Sequence, residues 1–260
     1  MFGRDRTLSA DSVRINVNAD HSLDAILDRP AKGTPRHYAV FAHCFTCSKS
    51  FKTTAHLSKA LAGQGLGVLR LDFSGLGKSD GDFADTNFTT NVRDLLAAVD
   101  WLRTHYRAPA LIFGHSFGGT VAMAAAADVP EAVGVASINA PFEPEHVAHV
   151  FGDRLDDIVE KGSAQVDLAG RSFQIKKQFL EDIENQRMGQ RVRDLDAHVL
   201  IFHAPMDATV GVENARYIYE AAKHPKSFLS LDGADHFLRD SRDADYVGEV
   251  LGAWVRRHLD

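Results

Sequence analysis

The sequence predicts an α/β fold, a mostly parallel sheet with helices on both faces, and three observations carry that prediction. Short apolar runs alternate with amphipathic stretches along most of the 260 residues. Those runs are apolar throughout instead of alternating, as strands buried on both faces require. One of them, "PALIF", leads straight into a glycine-rich turn and an alanine-rich helix.

Each element follows in order. Residues 13–17 and 23–27 alternate polar and apolar and read as an antiparallel pair. "YAVFAH" (38–43) is a strand and 51–61 a helix; "GVLRLDF" (67–73) is a strand. Residues 89–102 form a helix with Val92, Leu95, Leu96 and Val99 on one face. "PALIFG" (109–114), the helix 118–127 and "VGVASINA" (133–140) continue the alternation. "HVLIFHA" (198–204) and "SFLSLD" (227–232) are the last strands, and the helix 246–258 turns Val250, Leu251 and Trp254 inward.

Residues 143 to about 195 break this rhythm. A crossover needs about a dozen residues plus short loops, and this stretch is far longer. It is charged and helical, with a hairpin signal in "VDLAGRSFQI" and a helix carrying Phe179, Leu180 and Ile183. The expectation is one domain over 1–260 with a small cap inserted between the sixth and seventh strands.

Composition narrows the function. A net charge of −6 lacks the basic footprint that nucleic acid requires. No apolar run reaches the roughly 18 residues needed to span a bilayer. "MFGRDRTLSADS" has no apolar leader core, and two cysteines make no disulfide framework, so a reducing, cytoplasmic setting is expected. Composition leaves a homo-oligomer open.

The chemistry lies in "GHSFGG" (114–119), a G-x-S-x-G turn between strand and helix. The tight turn exposes the Ser116 hydroxyl above the sheet, and the helix behind it aims N–H groups at developing negative charge. A serine needs a base to take its proton. His236 follows the last strand and Asp207 the strand before it, giving the chain order Ser116, Asp207, His236. Asp232 and Asp235 are read as turn or surface residues, and the twelve other histidines as ordinary core or surface side chains. "SGLGKS" imitates a phosphate-binding loop, but Asp72 stands where that motif requires glycine.

With these motifs the chain resembles the α/β-hydrolase superfamily over essentially its whole length. "HCFTCSK" is similar to the H-G-F-T-G-x-K loop of bacterial cinnamoyl and feruloyl esterases, and "DFSGLGKSDGDF" resembles the segment after their next strand. The H-C-F-T-C-S-K form also looks like hydrolases often fused to an organic-hydroperoxide-resistance-type domain, for which this chain, ending at Asp260, has no room. The resemblance implies a serine esterase for small carboxylic esters, with the backbone amides of Phe45 and Phe117 binding the oxyanion and no metal or cofactor. Thioester, lactone or carbon–carbon bond hydrolysis would use the same residues. A binding module that has lost turnover, or a partner for a separately encoded peroxide-defence domain, would keep the fold.

Cys44 and Cys47 occupy the places of two family glycines, an awkward exchange if those glycines have positive φ. No second C-x-x-C or histidine pair completes a zinc site, His146 and His149 having no cysteine near them in sequence. The plainer expectation is two buried thiols filling small spaces. The alternative is a disulfide that closes under oxidant and tilts the Phe45 amide. Phe142, Phe151, Phe173 and Phe179 of the cap are read either as pocket walls or as core.

Overall fold

The computed structural model describes residues 7–168 and 170–259; the reading of residues 1–6 as free of a leader lies outside them. Eight strands form one sheet: β1 (Leu8–Asn16), β2 (Ser22–Pro30), β3 (Tyr38–Ala42), β4 (Gly67–Leu71), β5 (Pro109–His115), β6 (Gly134–Ile138), β9 (His198–His203) and β10 (Lys226–Ser230). Their spatial order is β1-β2-β4-β3-β5-β6-β9-β10, with β2 antiparallel to both neighbours and every later pairing parallel.

The apolar strands divide their side chains between two cores. In β3, Val40 and Ala42 face one and Ala39 and Phe41 the other; in β5, Ile112 opposes Leu111 and Phe113. This is the period of two written into a doubly covered sheet. One face carries α1 (Lys52–Ala62) and α8 (Ser241–Arg256), where Leu57, Leu61, Val247 and Leu251 are fully buried. Burying each such side chain contributes about 2 kcal/mol. The opposite face carries α2 (Phe88–His105), α3 (Phe117–Ala126) and α7 (Glu213–Ala221).

Local signals set the helix starts. Asn87 and Thr90 close a capping box ahead of α2, with N–H to side-chain oxygen distances of 2.9 and 2.7 Å. Helix α8 begins five residues before the expected 246 because the Asp240 carboxylate caps the Arg242 amide at 2.9 Å. The polar first turn "SRDAD" hid that start from a reading based on apolar spacing.

Between β6 and β9 the chain leaves the sheet. It forms a 3-10 helix (Pro144–Phe151), α4 (Arg154–Lys161), the hairpin β7 (Ser163–Leu168) and β8 (Arg171–Lys176), then α5 (Lys177–Glu184) and α6 (Met188–Asp194). Phe151 and Phe179 pack against Phe45 and each other, and Phe173 packs on Phe83. None of the four cap phenylalanines lines the cavity holding Ser116. For Phe151, Phe173 and Phe179 the pocket-wall reading is therefore corrected: these rings join the cap to the domain, while Phe142 lines a neighbouring cleft that shares His146 and His149 with that cavity.

Candidate active site

The elbow is dictated by sterics. Ser116 has φ 55° and ψ −131°, placing it in a region that a non-glycine residue occupies only when its surroundings compel it. A Cβ on Gly114 would stand 2.2 Å from the Gly118 carbonyl oxygen, and one on Gly118 would stand 2.3 Å from that of Ala42. Strand β5, the turn and α3 therefore close on one another only with glycine at both positions. The Ser116 N–H is held by the Ile138 carbonyl at 2.8 Å.

The structure brings Ser116, Asp207 and His236 together. His236 Nε2 lies 3.0 Å from Ser116 Oγ, and His236 Nδ1 lies 2.7 Å from Asp207 Oδ2. The other Asp207 oxygen accepts the amides of Thr209 and Val210 at 2.8 and 2.9 Å. Burial alone would raise the Asp207 pKa, but the His236 and backbone hydrogen bonds outweigh it and hold the carboxyl below its ordinary value. An ionised Asp207 accepts the Nδ1 proton, so the Nε2 lone pair faces the serine hydroxyl. Asp235 points elsewhere, pairing with Arg239 at 2.8 Å on the surface, and Asp232 accepts from Ser230.

Two residues that the sequence reading passed over hold this arrangement in place. The His236 carbonyl accepts His115 Nε2–H at 2.7 Å and Asn139 Nδ2–H at 3.0 Å. Asn139, fully buried and at φ 48°, also accepts the Ala204 amide at 2.8 Å, tying the end of β6 to the loops of both Asp207 and His236. Burial, then the neighbouring His236, push His115 down to about 3, so its ring is neutral. His115 is the satisfied core histidine expected of it, and its hydrogen bond also braces His236. Its place inside the elbow motif was the available signal.

The loop after β3 is anchored from below. Lys49 Nζ pairs with Asp72 and Asp24, and its amide donates to Asp72 Oδ1 at 2.6 Å. The Asp72 carboxylate also accepts the Lys78 amide at 3.0 Å. A Cβ on Gly77 (φ 58°) would overlap that carboxylate, at 2.0 Å, so the "GLGK" glycine serves Asp72 and no phosphate. Above this anchor the expectation of two thiols is overturned: Cys44 and Cys47 form a disulfide, with Cα atoms 5.3 Å apart. Four residues with the Cys47 amide donating to the Cys44 carbonyl at 3.1 Å make a turn tight enough for the sulfurs to meet. Neither cysteine has positive φ; the left-handed residue is Thr46, at φ 59°.

Phe45 and Phe117 both line the cavity beside Ser116, and neither N–H is taken by a backbone carbonyl among the described residues. That cavity measures about 450 Å³. His146 and His149 sit on its rim, where His146 Nε2 donates to the Thr209 carbonyl at 2.9 Å.

A serine at the elbow of a doubly covered, mostly parallel sheet, within reach of a histidine and an aspartate from the loops after later strands, makes this a serine-hydrolase-type α/β hydrolase. The chain belongs to the serine aminopeptidase S33 family, whose model matches residues 33–188. An esterase domain from Rhodothermus marinus is 47% identical, with a TM-score of 0.77 over 96% of this chain and 98% of its own. Est1E from Butyrivibrio proteoclasticus, solved with ferulic acid bound, shares the fold at 22% identity and a TM-score of 0.81, covering 95% of this chain and 99% of its own. A monoacylglycerol lipase from Mycolicibacterium smegmatis is 23% identical, aligned over 86% of this chain and 90% of that protein. Among the described residues no helix is long and apolar enough to cross a membrane.

Proposed function

We propose that the protein hydrolyses small carboxylic esters through an acyl-enzyme. The observation that carries this reading is the chain of hydrogen bonds from Asp207 through His236 to Ser116 at the wall of an apolar cavity. Ser116 Oγ attacks the ester carbonyl while His236 Nε2 takes its proton and then returns it to the leaving alcohol. Asp207 fixes the tautomer and stabilises the imidazolium. The amides of Phe45 and Phe117 receive the negative charge on the carbonyl oxygen, and water attacks the acyl-enzyme by the same route in reverse. The 47% identity to an esterase domain supports this substrate class. A cytoplasmic location stays part of the proposal, with the Cys44–Cys47 bond as the feature that counts against it; thiol trapping in fresh cell extract decides.

The test is a panel of 4-nitrophenyl esters of graded chain length, with matched thioesters and lactones. Butyrate and aromatic acyl esters are expected to exceed palmitate in kcat/KM. The cavity is compact, and α4 presents Asp156 and Glu160 to solvent where a lipid surface would need an apolar patch. A palmitate optimum overturns the size argument, and turnover of thioesters or lactones alone overturns the ester assignment.

The closed disulfide sets a sign for redox dependence. It braces the loop carrying the Phe45 amide, so Cys47→Ser or reduction is expected to lower kcat a few-fold. Activity measured across glutathione redox potentials checks this, and a rise on reduction would restore the opposite expectation, that closure tilts the donor away.

A further inference from the structure

The mostly apolar cavity at Ser116 carries an arginine at its wall in an acidic protein. The chain carries a net charge of −6, yet among the described residues no aspartate or glutamate lines this cavity, while Arg171 does. Arg171 opens β8 at the tip of the cap hairpin. Its guanidinium lies 4.9 Å above the centroid of the Phe173 ring and donates one N–H to the Thr46 carbonyl. Stacking and that hydrogen bond fix the plane of the group and use one of its five donors. Most other paired arginines meet a carboxylate, as Arg14, Arg29, Arg70 and Arg103 do, but among the described residues none lies within ion-pair distance of Arg171.

Arg171 is solvent-exposed, and a stacked guanidinium without a carboxylate partner at the wall of a cavity can receive a planar anion through two parallel N–H groups. The other polar rim groups fit that role less well. His146 Nε2–H is committed to the Thr209 carbonyl at 2.9 Å, so that donor is not free for a ligand. Ser48, His149 and Thr209 add polar groups to the lining, and Phe51, Phe117, Val147, Val210 and Phe237 make most of the rest apolar. We infer that the ester taken by this site carries a carboxylate remote from the scissile bond, and that Arg171 binds it. This inference rests on the ester-hydrolase reading and names its substrate class.

The experiment compares ester pairs that differ by a terminal methyl against a terminal carboxylate. On the acyl side the pair is 4-nitrophenyl hexanoate and the 4-nitrophenyl monoester of adipic acid. On the alcohol side it is butyl butyrate and 3-carboxypropyl butyrate, followed by butyrate release. In the wild type, one carboxylate member is expected to lead its partner by about tenfold in kcat/KM, the scale of one charge-assisted hydrogen-bond pair near solvent. The lead should shrink as salt is added. Arg171→Met, or Arg171→Gln should the first variant fail to fold, is expected to erase the ratio, and Arg171→Lys to keep part of it. Equal rates within both wild-type pairs overturn the inference while leaving the esterase intact. So does an Arg171→Met variant that loses both members of a pair equally, because the arginine then only tethers Thr46. A wild type that hydrolyses no ester in either pair overturns the parent reading and this inference with it.

Discussion

Replacing Ser116 with alanine is expected to abolish ester hydrolysis and covalent labelling by a fluorophosphonate while leaving the fold intact. Loss of a triad member lowers kcat by about 10⁴-fold or more, and in the proposed mechanism the hydroxyl removed is the atom that forms the covalent bond. The variant keeps a Cβ of the same size, so the φ 55° backbone and the 2.8 Å hydrogen bond to Ile138 need not move. Its thermal midpoint should match the wild type. Gly118→Ala makes the contrast, because its Cβ would meet the Ala42 carbonyl oxygen at 2.3 Å and push the elbow off β3. That variant should lose stability as well as activity. Thermal melts and gel-based fluorophosphonate labelling of both proteins separate chemistry from folding, and labelled, active Ser116→Ala would end the nucleophile assignment.

What the sequence made legible is whatever local sterics or chain order encodes. The elbow is readable because strand, turn and helix follow one another, and the glycines that the backbone needs are adjacent to the serine they serve. Asp207 and His236 are readable because each follows an apolar strand in an order that hydrolases of this kind share. The braces are not readable in that way. Asn139 and His115 reach the His236 carbonyl across 97 and 121 residues of chain, and nothing near either position marks the partner. The same holds for Lys49, whose burial with Asp72 and Asp24 depends on the loop after β3 meeting the end of β4 and the start of β2. The cap phenylalanines look alike in sequence whether they line a pocket or fill a core. Only the packing around Phe45 decides, and it places Phe151 and Phe179 in the core.

Asp207→Asn is expected to lower kcat by about 10⁴-fold, with little change in fold, and Asp235→Asn to leave kcat close to the wild type. The reason lies in how each oxygen of Asp207 is used. Oδ1 accepts two amides, from Thr209 and Val210, so an asparagine will keep its carbonyl oxygen there. Its NH₂ group then occupies the Oδ2 position, 2.7 Å from His236 Nδ1, and can only donate. His236 must accept at Nδ1 and carry its proton on Nε2, facing Ser116 Oγ at 3.0 Å with no lone pair to take the serine proton. Binding is little changed by this, so KM should hold while kcat falls, and fluorophosphonate labelling should slow in step with kcat. Asp235 is differently placed. Its carboxylate serves the Arg239 amide and guanidinium at the surface, an interaction of the kind worth at most about 1 kcal/mol. Steady-state kinetics on the two variants, with labelling rates beside them, decide between the carboxylates. A collapse of kcat in Asp235→Asn, with Asp207→Asn near normal, would move the acid to the residue next to the base.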